Sequence, residues 1–150
     1  MIDKDLVFLN FQAKDSNDFF DNISKILYER GYVKDSFKEA IKNREKNFPT
    51  GLPIEPVGVA IPHTDSCHIN KPKIVFVRFN KNIEFKEMGG DNNVAVGMAF
   101  VLLVTDKEKQ VPLLQKLMGL FTDQDLINKL YKKDKEEIIN ILEEELKWKK

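Results

Sequence analysis

Apolar and polar positions along this chain switch repeatedly between a two-residue and a 3.6-residue period. Leu6 to Phe11 (LVFLNF) is dense in apolar and aromatic residues and predicts an opening strand. Asp15-Ser16 then caps a helix whose Phe19, Phe20, Ile23, Ile26 and Leu27 recur on one helical face, with Gly31 ending it. Ser36 followed by Glu39 is a capping-box pattern for a second helix that turns Phe37, Ala40 and Ile41 inward. That helix must stop before Pro49, because a proline pushes the preceding residue out of the α region. Phe48 to Pro56 (FPTGLPIEP) holds three prolines and a glycine and reads as a loop with a restricted backbone.

Strand signals dominate the next part of the chain. Val57 to Ile61 predicts a short strand leading into Pro62-His63, Lys73 to Phe79 a clear one, and Ile83 to Phe85 a shorter one. Ala95 to Val104 is apolar on both alternating sets, as expected of a strand covered on both faces. Gly89-Gly90-Asp91-Asn92 and Thr105 to Lys109 read as polar turns. A helix is predicted to begin near Pro112, with Leu113, Leu114, Leu117, Leu120 and Phe121 on its apolar face. Asp134 with Glu137 caps a last helix carrying Ile138, Ile141, Leu142 and Leu146. The acidic run Glu143 to Glu145 and the basic tail form its solvated face and end. The order β-α-α-β-β-β-β-α-α, without repeats or linkers, predicts an α/β fold: one mixed β-sheet flanked by helices, in a single domain spanning 1–150.

Composition narrows the chemistry. The 150 residues carry 24 basic and 24 acidic side chains, and zero net charge argues against a dedicated nucleic-acid binder. The run Val94 to Val104 is about half of the ~20 residues a spanning helix needs, and the charged N-terminus lacks a signal-peptide core. A cytoplasmic protein without direct membrane insertion is expected. The lone Cys67 cannot form an internal disulfide, and two histidines with one cysteine leave little for a structural zinc site. Carboxylate-only metal sites stay open, but no D-x-D-x-D-G, Walker or G-x-G-x-x-G loop supports a metal or nucleotide, so no metal or cofactor is expected.

Both histidines fall in Gly58-Val-Ala-Ile-Pro-His63-Thr-Asp-Ser-Cys-His68. A histidine just after a buried strand and a proline sits on a fixed stem at a sheet edge, where scaffolds commonly hold reactive groups. An ordinary surface histidine fits the same pattern. His68 lies five residues on, which does not match the i, i+4 geometry of a helical metal pair. Adjacent Cys67 and His68 make a weak nucleophile dyad. Arg44, near the end of the second helix, precedes Pro49-Thr50-Gly51. If that loop folds back on His63, a guanidinium, a hydroxyl and backbone N–H groups converge as donors for a phosphoryl group. Taken alone, Arg44 better suits a solvated helix arginine paired with a nearby glutamate; only the combination points to a phosphoryl site.

The string Arg44-Glu-Lys-Asn-Phe-Pro-Thr-Gly51 followed by Val59-Ala-Ile-Pro-His63 resembles the type-2 IIA domains of the bacterial phosphoenolpyruvate-dependent sugar phosphotransferase system, the fructose–mannitol superfamily. The similarity runs from about Leu6 to Leu142. His68, Asp91-Asn92-Asn93-Val94-Ala95-Val96 and Lys109-Gln110-Val111-Pro112-Leu113-Leu114 are most similar to the galactitol-type branch. Mannitol- and fructose-type relatives generally carry a second histidine where Gln110 stands, so no histidine pair is expected here.

The resemblance implies the type-2 IIA fold and a phosphocarrier. His63 would take a phosphoryl group from phospho-HPr through Nε2, with Nδ1–H held by a backbone carbonyl, and pass it to a cysteine of a IIB component that serves a IIC permease. Galactitol or a related polyol or sugar would be the cargo. Arg44 would neutralise the phosphoryl charge. Thr50, Gly51, Thr64, His68 and the neutral amide of Gln110 would surround its oxygens. Asp65 would cap its loop, while Ile61 and Leu52 would exclude water and offer docking surface. The resemblance also leaves a regulatory, nitrogen-type IIA protein, in which phosphorylation of His63 controls partner binding.

Overall fold

The computed structural model describes residues 2–146. The basic tail that follows Leu146 lies outside the described residues. Ten regular elements follow one another: β1 (Val7–Phe11), α1 (Ser16–Glu29), α2 (Phe37–Asn47), β2 (Gly51–Leu52), β3 (Gly58–Ala60), β4 (Lys73–Lys86), β5 (Asn93–Leu103), α3 (Lys107–Leu120), α4 (Gln124–Lys132) and α5 (Lys135–Glu145). The strands form a five-stranded sheet in the order β1-β4-β5-β3-β2. β1 runs parallel to β4 and β3 parallel to β5, whereas β4–β5 and β2–β3 are antiparallel. The expected mixed sheet flanked by helices is therefore observed.

Strand periodicity sorts the side chains onto two faces. Ile74, Phe76, Met98, Phe100 and Leu102 pack with Leu113, Leu117, Ile127, Leu130, Ile138 and Leu142, under α3, α4 and α5. The intervening Val75, Val77, Ala99, Val101 and Leu103 face Phe19, Phe20, Ile23, Leu27, Phe37 and Ile41 of α1 and α2. β5 is covered on both sides, which explains why both of its alternating sets are apolar.

The predicted caps at Asp15 and Asp134 form: Asp18 N–H donates to Asp15 Oδ1 at 2.8 Å and Glu137 N–H to Asp134 Oδ1 at 3.0 Å. Gly31 ends α1 with φ at +80°, a conformation in which a side chain is strained. Ser36 differs from expectation. It makes no capping hydrogen bond to α2, and its hydroxyl lies 2.7 Å from His68 Nδ1.

Other departures have local causes. The strands predicted at Lys73 to Phe79 and Ile83 to Phe85 are one strand, β4, whose register with β5 slips between Arg78 and Ile83. Exposed Asn80, Lys81 and Asn82 imitate a turn in sequence but bulge from a continuous ladder. α3 starts at Lys107 rather than near Pro112, with Glu108 N–H donating to Asp106 Oδ1 at 3.0 Å. Its first turn is exposed and polar, so no apolar period marks it, and Pro112 is accommodated inside the helix. α4 has no counterpart among the predicted elements, although Asp123 caps it and Leu126, Ile127 and Leu130 are buried at helical spacing.

β2 carries the chain from α2 to the centre of the candidate site, and close packing governs its position. A Cβ built on Gly51 falls 2.6 Å from the Lys86 carbonyl oxygen and 3.1 Å from Phe85 Cβ, while the Gly51 carbonyl accepts Met88 N–H at 2.8 Å. Gly51→Ala is therefore expected to push β2 off the end of β4. Urea unfolding should register a loss of roughly 1–3 kcal/mol, the usual range for forced overpacking; an unchanged midpoint would contradict this account of the glycine.

Candidate functional site

His63 lies just beyond β3, where the chain keeps pairing with β5. Leu102 N–H donates to the Pro62 carbonyl at 3.0 Å, and His63 forms a parallel bridge with Leu102. The histidine thus stands at the carboxyl end of two neighbouring parallel strands, the end of an open α/β sheet where binding sites concentrate. It is 8% exposed. Its Nδ1 lies 2.7 Å from the Ile61 carbonyl oxygen. A carbonyl only accepts, so Nδ1 carries the proton and donates it, and Nε2 is left with its lone pair.

The surroundings favour the neutral ring. Burial lowers the His63 pKa below the ordinary 6.5, the Ile61 hydrogen bond opposes this, the Arg44 charge lowers it further and Asp65 pulls it up. Arg44, in the last turn of α2, is thus near enough for its charge to act on the imidazole. Its guanidinium carbon is 4.5 Å from the centroid of the Phe48 ring, and its Nε is buried without a hydrogen-bond partner.

Thr50 is buried, and both of its donors are engaged. Its N–H donates to Glu45 Oε2 at 2.7 Å and its hydroxyl to Glu45 Oε1 at 2.8 Å. The backbone N–H and hydroxyl that sequence offered from this residue therefore face Glu45. Burial raises the Glu45 pKa above 4.5, against the lowering effect of the Thr50 hydrogen bonds. The Thr50 carbonyl in turn lies 3.4 Å from Ile61 N–H, so the loop leans on the residue that orients His63.

Gln110, on α3, donates its amide Nε2–H to the Thr64 carbonyl at 3.2 Å, tying α3 to the residue after His63. Thr64 is buried. His68 turns elsewhere: its Nδ1 meets Ser36, and its carbonyl accepts Lys34 N–H at 2.9 Å. Val33 and Ile69 form a bridge beside it, and Lys34 Nζ donates to the Cys67 carbonyl at 2.9 Å. The His68 segment is thereby fastened to the chain entering α2. Cys67 is free and exposed. Among the described residues, no group of three or more His, Cys, Asp and Glu side chains is placed to hold a metal ion, and no helix is long and apolar enough to cross a membrane.

Glu45 and Phe48 are the neighbours of this site that residue-type reasoning passes over. Glu45 directly follows the arginine and lies five residues before Thr50; Phe48 lies four after the arginine, the spacing at which helical side chains meet.

A five-stranded mixed sheet of this order, flanked by helices, is the fold of type-2 IIA domains. The nitrogen regulatory protein IIA-Ntr from Neisseria meningitidis superposes with a TM-score of 0.76 at 23% identity, covering 94% of this chain and 95% of that one. The IIA component in the Escherichia coli complex of enzyme IIAMTL and phosphorylated enzyme IIBMTL gives 0.75 at 20% identity, over 95% and 98%. The chain belongs to the family "phosphoenolpyruvate-dependent sugar phosphotransferase system, EIIA 2", whose model matches residues 1–145. The galactitol-specific EIIA component of Escherichia coli K12 is 30% identical over 116 residues, 77% of each chain. The protein is thus an EIIA component of a sugar phosphotransferase system, in a family whose members act as phosphotransferases.

Because folding lowers the His63 pKa, its contribution to stability is whole above pH 6.5 and is lost as pH falls from there toward the folded value. A long-range 1H–15N NMR titration is expected to show a midpoint below 6.5, with Nδ1 protonated and Nε2 bare in the neutral ring. A midpoint above 6.5, or an Nε2–H tautomer, would refute the assigned hydrogen bond and its electrostatics.

Proposed function

We propose that His63 is the phosphoryl carrier of this EIIA component, taking the group from phospho-HPr and passing it to the cysteine of a IIB component. The observation that carries this reading is the Nδ1–Ile61 hydrogen bond of 2.7 Å, which leaves the Nε2 lone pair of a buried imidazole free. In an in-line transfer the Nε2–P bond forms while the donor's P–N bond breaks. No proton has to enter or leave His63, because Nδ1–H stays on the Ile61 carbonyl throughout. The ring gains positive charge as the bond forms, and the carbonyl stabilises it. On onward transfer the same bond breaks, the lone pair returns to Nε2 and the sulfur of the acceptor thiolate takes the phosphorus.

Phosphoryl transfer asks mainly for positioning and charge neutralisation. Arg44 supplies the cation. Gln110 keeps one amide N–H beyond the one given to Thr64, and that donor suits a phosphoryl oxygen. Thr64 sits buried beside the nucleophile and shapes its approach. Thr50, Gly51 and His68 are assigned to the frame: Thr50 is fixed by Glu45, Gly51 permits β2 to close on β4, and His68 fastens its loop to Ser36. A single guanidinium with neutral donors binds the group without trapping it, which a relay requires.

The galactitol-specific relative supports galactitol or a related polyol as the cargo of the system. The whole of residues 1–150 would work as one IIA domain in the cytoplasm, coupled through IIB to a IIC permease.

Incubation with phosphoenolpyruvate, enzyme I and HPr is expected to place an acid-labile, base-stable phosphoryl group on His63. His63→Ala should abolish labelling, and Arg44→Ala should slow it by about 10²-fold, the scale of losing one charge-stabilising donor. Labelling that survives His63→Ala would overturn the assignment. A galactitol-type IIB should then discharge the label to its cysteine; retention of the label in the presence of IIB would favour a regulatory protein over a transport component.

A further inference from the structure

Arg44 is held without being neutralised. Among the described residues no carboxylate lies within ion-pair distance of its guanidinium. The nearest candidate in sequence, Glu45, has both oxygens occupied by Thr50 at 2.7 and 2.8 Å. What the guanidinium does meet is the ring of Phe48, at 4.5 Å from carbon to centroid. Helix geometry sets up this meeting. Phe48 N–H donates to the Arg44 carbonyl at 2.7 Å as α2 closes, which places the two side chains one turn apart on the same face. Pro49 then keeps Phe48 out of the helical region, with φ at −136° and ψ at 79°.

Phe48 is also 60% exposed, so burial does not account for a large aromatic at this position. A ring face attracts a cation through its quadrupole while carrying no charge. A carboxylate in the same place would cancel the guanidinium charge and occupy two of its donors. The buried, unpartnered Nε shows that the arginine is held with hydrogen-bonding capacity unmet.

We propose that Phe48 is a positioning residue for phosphoryl transfer: its ring holds the Arg44 guanidinium beside His63 and leaves its charge and donors for the phosphoryl group. Glu45 and Thr50 complete the arrangement by locking the adjacent carboxylate onto the loop. This proposal rests on the assignment of His63 and Arg44 given above.

The test compares phosphoryl acceptance from two donors, phospho-HPr and the small molecule phosphoramidate, which has no protein surface to dock. Phe48→Ala and Phe48→Leu are expected to slow acceptance about 3- to 10-fold with both donors, and Phe48→Trp to stay within about twofold of the parent, as a cation–π contact predicts. In an Arg44→Ala background, Phe48→Ala should add less than about twofold, because its effect passes through the arginine. Three results would overturn the proposal: Leu matching the parent, a loss confined to phospho-HPr, or an undiminished loss in the Arg44→Ala background. Failure of the underlying assignment would be visible separately, with Phe48 intact, as labelling of His63→Ala or full-rate labelling of Arg44→Ala.

Discussion

The hydrogen bond from His63 Nδ1 to the Ile61 carbonyl is the constraint on which the site depends. A neutral imidazole carries one donor and one acceptor, and burying it requires that the donor be satisfied. Giving that donor to a carbonyl two residues back settles the tautomer and the ring orientation together. The carbonyl is in place because β3 continues past Ala60 along β5, with the Pro62 carbonyl taking Leu102 N–H. The Thr50 carbonyl reaches Ile61 from the other side, and Thr50 is itself held by Glu45 at the end of α2. The sheet, the loop and the helix end therefore converge on the orientation of one ring.

Electrostatics complement that geometry. Burial and the Arg44 charge both disfavour a proton on His63, so the nucleophilic form of the ring is the stable one near neutrality. The same arginine acts on His63 through its charge, and an aromatic face holds it where a carboxylate would quench it. On the proposed reading, the charge withheld from internal ion pairs is what the incoming phosphoryl group meets. On the same reading, the balanced overall charge of the chain suits a carrier that docks with one partner and leaves for another, since a strong net field would favour one encounter at the expense of the other.

The elements legible in sequence are those whose apolar residues follow a clean period between recognisable caps. α1 has Asp15 before it, Gly31 behind it and five apolar residues on one face, and it forms as expected. The first turn of α3 is polar and exposed, so periodicity is silent there and Pro112 draws the predicted start too late. Asn80, Lys81 and Asn82 look like a turn because a bulge and a turn place the same exposed polar residues in sequence; the ladder on either side, set by β5, distinguishes them. Ser36 fits a capping box by spacing, yet its hydroxyl goes to His68, a partner from a distant part of the chain.

Sequence alone determined the fold class and singled out His63 and Arg44 as candidates, because strand and helix periods, capping residues and the R-E-x-x-F-P-T-G and A-I-P-H strings are local properties of the chain. The resemblance brought Gln110 to attention as well, as a neutral amide where mannitol- and fructose-type relatives generally carry a histidine. Only the tertiary structure decided which donors are free and which are taken. Thr50 carries the right hydroxyl for a phosphoryl oxygen, but its donors face Glu45, and His68, five residues from His63, faces Ser36. Residue type fixes what a side chain can donate; the packing of α2, the β2 loop and the strand ends fixes to whom, because each donor proton serves the acceptor that folding brings nearest.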